Sequence, residues 1–264
     1  MAEFVDQDLA GSRFERVSLR NSTFSQVQFN DSQMRRIHFS GIELRAAAIS
    51  GARLLGIECY DTEISGEFVN VTINGVEIAP LIEAELNRRD PERVKMRPTD
   101  PAGYREALDI VERRWDQTIE RARALPPEAL HERVNGEWSF IQTLRHLNFA
   151  SAAWVGRMIL GNPSPWHPHD LPWEEAPGWD GIPWDKEARP DLDTVLAVRR
   201  ERHDMVRGVF DSLTDEQLAS TVSCSEPGWP NYEDVPFKEC VLVVLNEEWE
   251  HRNFAERDLA ALEA

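Results

Sequence analysis

Two residues with chemical potential stand four apart near the C-terminal end, Glu247 and His251. They fall in a run from about Pro236 to Glu263 with no internal Pro or Gly, which predicts one long helix. Residues four apart share a helix face. The stripe Val244, Glu247, His251, Phe254, Asp258 has the 3-4 spacing of a core-facing seam. An acid and an imidazole on such a seam need a partner, because an unpaired buried charge is costly. A divalent metal would satisfy both, since zinc accepts carboxylate oxygen and imidazole nitrogen and a catalytic site keeps one position open. The candidate third ligand is His146, on a helix predicted from Phe140 to Leu160. The bland alternative is a Glu–His hydrogen bond that only orients the helix. Asp258 lies about two turns beyond His251, too far for ligation, which leaves it a supporting role at most.

Several helices must position these side chains. Asp100-Pro101 reads as an N-cap followed by Pro at the first helical position, opening a helix to about Leu125. Ser139 and Gln142 form a capping box for the helix that carries His146. Asp191 caps a third helix, Leu192 to about Leu213, and Thr214 with Gln217 caps a short one. With no strand pattern between them, the four long helices predict a four-helix bundle over residues 99–264. The segment 162–190 has no periodicity, many prolines and Trp166, Trp173, Trp179 and Trp184, and is expected to form an ordered cover on the bundle. His167 and His169 flank Pro168 within it. They offer a weak second metal pair, and a solvated pair is the expectation. His38, His131 and His203 show no ligand spacing and are expected to be structural or surface residues.

The N-terminal quarter follows another rule. From Leu9 to Val69 an apolar residue recurs at every fifth position, thirteen times without a break. Period five fits neither helix nor strand and points to a solenoid. The pattern resembles the pentapeptide-repeat family, although the Asp or Asn usual before the central residue is mostly absent, as at Arg13, Ser18, Thr23, Gln28 and Gln33. The resemblance implies a right-handed quadrilateral β-helix over 1–78, with Phe24, Phe29 and Phe39 pointing inward. A connector with a short helix at Pro80 is expected over 79–98. The whole chain is therefore read as multidomain β + α, a β-helix followed by a helical bundle. Some proteins of this family mimic DNA, but residues 1–70 carry ten acidic side chains against seven arginines, so a packing or homodimerisation module is the preferred reading.

A net charge of −18 over 264 residues argues against binding nucleic acid or an anionic membrane. No basic-then-apolar leader and no bilayer-length apolar run stand in the chain, and three widely spaced cysteines form no CxxC, so a cytoplasmic location is expected. Cys59 and Cys240 are expected to be buried, and Cys224 to lie in a loop.

Glu137-Trp138-Ser139 before the second helix, Leu144-Arg145-His146-Leu147 within it and Glu247-x3-His251 on the last helix together resemble the DinB/YfiT-like family over roughly residues 99–263. The resemblance implies one divalent metal held by three residues, matched here by His146, Glu247 and His251. Glu247 departs from the commoner His, as in the mycothiol-dependent maleylpyruvate isomerase branch. Zinc is the implied ion, with nickel, iron and manganese as alternatives. The implied activity is a thiol S-transferase or isomerase, with a low-molecular-weight thiol and an electrophile as small-molecule partners. The alternative is a non-catalytic assembly protein, in which the metal staples the bundle and the repeat recruits a partner.

Overall fold

A computed structural model of the protein describes residues 2–174, 176–179, 182–225 and 228–263. The chain divides into two compact units, Met1–Ser65 and Gly66–Ala264.

In the first unit the period of five appears in the backbone. Twelve residues from Asp6 to Asp61 take positive φ at intervals of five, each two places after an apolar repeat residue. Left-handed backbone is tolerated best by Gly, Asn and Asp, and eight of the twelve positions hold one of these. Arg16, Gln26, Arg36 and Ala46 are the exceptions. Turn bonds such as Ser12 N–H to Leu9 O, 3.0 Å, close the corners. The side chains depart from expectation. Phe24, Phe29 and Phe39 are 56%, 51% and 62% exposed, and Cys59 is exposed too. Among the described residues no strand pairing links successive coils in this unit. The apolar side chains therefore touch along the chain, as Phe24 and Phe29 do at 6.0 Å, without an enclosing floor.

The second unit opens with a hairpin, β1 (Thr72–Ile73) and β2 (Val76–Glu77). Its turn is Asn74-Gly75, both at positive φ, as a two-residue hairpin of this kind requires. The helix α1 (Ala79–Arg89) and a 3₁₀ turn (Pro91–Met96) follow. The stretch expected as a connector is fastened to its neighbours. Arg114 of the next helix donates two 2.7 Å bonds to Asp90, and Met96 is buried. Residues 79–98 thus pack with the helices, within the compact unit Gly66–Ala264.

Four long helices pack on one another: α2 (Pro101–Arg123), α3 (Phe140–Ser151), α4 (Leu192–Asp211) and α6 (Phe237–Leu262). Their starts are those read in the sequence. Asp100 accepts from Gly103 N–H, Asp191 from Thr194 N–H, and Ser139 and Gln142 close the capping box. The short α5 (Asp215–Leu218) starts at the Thr214 capping box. None of the described helices is long and apolar enough to cross a membrane.

Two departures matter for the site. The helix expected to run to Leu160 changes after Ser151 into a π-helix, Ala152–Ile159, where Leu160 N–H reaches back five residues to Val155 O at 3.0 Å. The stretch expected to lack strands contains an antiparallel pair, β3 (Thr221–Cys224) and β4 (Tyr232–Pro236), with a bulge between Val222 and Cys224. Cys224 is therefore a half-buried strand residue. Cys240 is buried as expected, and burial pushes its thiol up to about 11.

The core of α6 runs through Val241, Val244, Leu245, Glu248, Ala255 and Leu259. Glu248 is 3% exposed and meets Arg199 of α4 through two bonds, 3.1 and 2.5 Å. Arg199 also lies 4.8 Å over the ring of Trp115, whose Nε1–H donates to Glu248 O at 3.1 Å. Three helices meet at this knot. Burial pushes the Glu248 carboxyl up, but Arg199 and His203 together outweigh it and hold the group down at about 2.

Two outcomes follow. Ala46→Gly removes a left-handed Cβ and should stabilise the repeat by about 1 kcal/mol, seen as a higher midpoint for loss of the N-terminal circular-dichroism signal. Glu248→Ala strands a buried guanidinium and should cost about 3–5 kcal/mol in urea unfolding. Because the folded Glu248 value lies below the unfolded one, its contribution is complete above about pH 4.3 and fades as pH falls toward 2.

Candidate metal centre

His146, Glu247 and His251 come together. Each offers one ligand atom, and the three atoms lie within 4.8 Å of one another. His146 Nε2 is 3.4 Å from Glu247 Oε2. Tetrahedral donors about 2.1 Å from an ion stand roughly 3.4 Å apart. The His146–Glu247 pair already has that spacing, and a pair standing at the full 4.8 Å would have to close in by about 1.4 Å. Among the described residues no other group of three ligand-type side chains gathers in this way. His167 and His169 face each other with ring centres 5.1 Å apart, and the His169 backbone N–H occupies His167 Nδ1, while the two rings gather no third ligand-type side chain among the described residues. Asp258 is bonded by Arg257 at 2.7 Å. His203 sits 3.9 Å from Glu248.

The stripe holding Glu247 and His251 is not the deepest seam of α6. That seam passes one residue over, through Glu248, and Phe254 on the predicted stripe is 46% exposed. The site therefore borders the core and faces a cavity, where small molecules can reach it.

Hydrogen bonds set the state of each ligand. His146 Nδ1 is 3.0 Å from the carbonyl oxygen of Leu171. A carbonyl only accepts, so Nδ1 carries the proton and Nε2 presents a lone pair beside Glu247. His251 Nδ1 stands 3.0 Å from the Glu247 carbonyl oxygen one turn back, and donating there leaves the other ring nitrogen unprotonated. Burial holds His251 below its ordinary value, helped by the neighbouring His146, and so keeps the ring neutral. Burial pushes the Glu247 carboxyl up, and only a proton on a neighbouring imidazole, donated from His146 or carried as charge by His251, outweighs it and holds the carboxyl below the usual range. Its Oε2 is nevertheless buried with no hydrogen-bond partner. A buried acceptor left bare costs about 1–3 kcal/mol or more when charged. A cation between the three side chains would remove that penalty, so the residues present fit a divalent ion.

The cavity beside the three ligands measures about 310 Å³. Its other described walls are Trp138, Phe149, Ala150, Trp154, Trp173 and Trp229. Trp138 packs on His146 with ring centres 4.5 Å apart and lies 6.0 Å from His251. The expected cover is present. Trp166, Trp173 and Trp184 surround Phe149 at 5.6, 6.3 and 5.5 Å, and Trp179 packs on both Trp173 and Trp184.

Arg145 fastens that cover. It is 1% exposed, and its guanidinium donates to the carbonyls of His169 (2.8 Å), Ala188 (2.6 Å), Lys186 (3.4 Å) and Asp185. Leu171 N–H bonds Arg145 O at 3.2 Å, while Leu171 O receives His146. Spacing alone does not reveal these contacts. The Glu-Trp-Ser and Leu-Arg-His-Leu motifs held two of the missed residues, Trp138 and Arg145. Nothing in the local pattern marks Trp229.

Arg145→Met keeps an apolar stem but leaves those carbonyls without donors. The expected outcome is faster proteolytic cutting within 162–190 and a metal affinity about 10–100-fold weaker, as for other residues that orient a ligand. Limited proteolysis and calorimetric metal titration check both. Unchanged values would show that Arg145 does not position His146.

The same residues appear in the comparison with known proteins. Residues 110–255, which include all three candidate ligands, match the family described as DinB superfamily, and residues 2–41 match pentapeptide repeats in eight copies. No curated protein and no solved structure matches the chain. With more than half its length matched, and with two imidazoles and a carboxylate gathered between the second and last long helices, the chain belongs to the DinB superfamily and carries pentapeptide repeats at its N-terminal end.

Proposed function

We propose that the protein is a divalent-metal-dependent enzyme, a thiol S-transferase or isomerase, whose ion is held by His146, Glu247 and His251. The observation that carries this reading is the bare, buried Glu247 Oε2 next to two imidazoles, at the edge of an open cavity. Zinc suits this donor set, and nickel, iron or manganese are the alternatives. A bound ion would lower the pKa of a thiol or water in the remaining position, supplying a nucleophile at neutral pH. The chain's own residues do the rest. Leu171 O and Glu247 O hold the imidazole protons away from the site. Trp138 braces both rings, and the tryptophan cover limits water at the ligands. The glutamate in place of a second-site histidine supports the maleylpyruvate-isomerase-like branch, with a mycothiol-type thiol and an electrophile as partners.

The competing reading is a metal staple in an assembly protein. It requires a closed shell of four protein ligands. The gathered group holds three among the described residues, which favours the enzyme.

The same proposal extends to architecture. The left-handed residue at each fifth position supports a quadrilateral β-helix for the repeat, and the mutual packing of α2, α3, α4 and α6 supports a four-helix bundle. The exposed apolar side chains along the repeat support a packing or homodimerisation module, because large apolar surfaces mark interaction faces. A cytoplasmic protein that binds neither nucleic acid nor membrane fits the acidic charge.

Metal analysis of the purified protein should find one ion per chain, and His251→Ala should lose it while keeping its helical circular dichroism. Affinity should rise with pH and level off once His251 has lost its proton. Since burial depresses His251, its proton competes only below about pH 6.5. A wild-type protein that takes up no ion across pH 6–8 would sink the metal reading.

A further inference from the structure

The cavity has an unusual division of chemistry. Its polar described walls are His146, Glu247 and His251, which the preceding reading commits to the ion. The remaining walls are aromatic or methyl groups. No lysine or arginine lines it among the described residues, and the residues outside that set include none. The rings are also held in place by one another. Trp229 lies 5.5 Å from Phe149 at an interplanar angle of 16°, 5.0 Å from Trp173 and 5.6 Å from Trp154. Trp173 is backed by Trp179, and Phe149 by Trp166. Walls fixed before binding lose little freedom on binding.

A ligand's acidic groups would find no counter-charge here, and its hydroxyls would exchange water for ring faces. A flat apolar body would meet ring faces and edges at stacking distance. The volume of about 310 Å³ is at the small end of ligand pockets, enough for one or two rings.

We propose that the cavity binds a small, uncharged aryl or similar apolar group, so that the substrate entering it is an apolar molecule with a single polar end directed at the three ligands. A hydrophilic thiol keeps its polar body outside, and the apolar electrophile occupies the aromatic walls. The inference rests on the metal reading, because the ion is what receives the polar end.

The test uses full-length protein loaded with Co²⁺ and three thiols of similar acidity: phenylmethanethiol, 2-mercaptoethanol and 2-mercaptoethanesulfonate. Binding is read as sulfur-to-cobalt charge-transfer absorbance, with no turnover required. Phenylmethanethiol should bind at least about tenfold more tightly than either other thiol, the scale expected for one buried aromatic body. Trp173→Ala should remove most of that preference, read as the ratio of phenylmethanethiol to 2-mercaptoethanol affinity within the same variant, and Trp173→Phe should restore it. Equal affinities for the three thiols, tighter binding of the sulfonate, or a preference that survives Trp173→Ala would overturn the proposal while the metal reading stands. A protein that takes up no Co²⁺ overturns both.

Discussion

Arg145 is a buried cation that faces carbonyl oxygens where a carboxylate would be usual. Burial pulls its pKa down, and its N–H groups are met by the loop's backbone. A guanidinium carries five donors in a rigid plane, so the positions of the carbonyls that accept from it are tightly constrained. That constraint pins the loop over α3 at His169 and at Asp185, Lys186 and Ala188. It places Leu171 where its carbonyl can take the His146 proton, and it holds Trp173 over the cavity. One residue thus links the orientation of a ligand to the roof above it. A loop of this length without regular structure would otherwise be expected to move.

Adjacent glutamates on α6 show how one step around a helix changes the meaning of a charge. Glu248 points into the core and is fully matched by Arg199, which makes it an organiser of α2, α4 and α6. Glu247 points to the cavity rim and has only imidazoles beside it, with one oxygen unmatched. The first carboxylate has its partner within the chain. The second has a vacancy of charge that the chain does not fill, and such imbalance is where function concentrates.

The candidate trio was legible because helical spacing is rigid: Glu247 and His251 must share a face, and the capping box at Ser139 fixed the start of the helix carrying His146. The seam was misplaced by one residue, since Glu248 reads as surface until Arg199 is seen opposite it. The π-helix left no trace in the pattern, because Ala152–Ile159 is apolar apart from Arg157 and suits an α-helix equally well. Asn74-Gly75 was a readable hairpin signal that the strand-like run before it obscured. The strands β3 and β4 are short and polar outside, so alternation was weak. In the repeat, the apolar period was plain, but which way its side chains face depends on coil-to-coil pairing that no single repeat encodes.

The left-handed corners of that repeat make its sequence a phased register. Each corner falls at the same place in a count of five, mostly on Gly, Asn or Asp. Losing one residue anywhere upstream would slide every later corner onto its neighbour, so that serines and β-branched residues such as Val17, Val27, Ile37 and Ile42 would have to turn left while the glycines stood in extended segments. Whole repeats can be added or removed with the beat intact, but single residues cannot. This segment should therefore vary among relatives in length by multiples of five, even where its side chains drift freely.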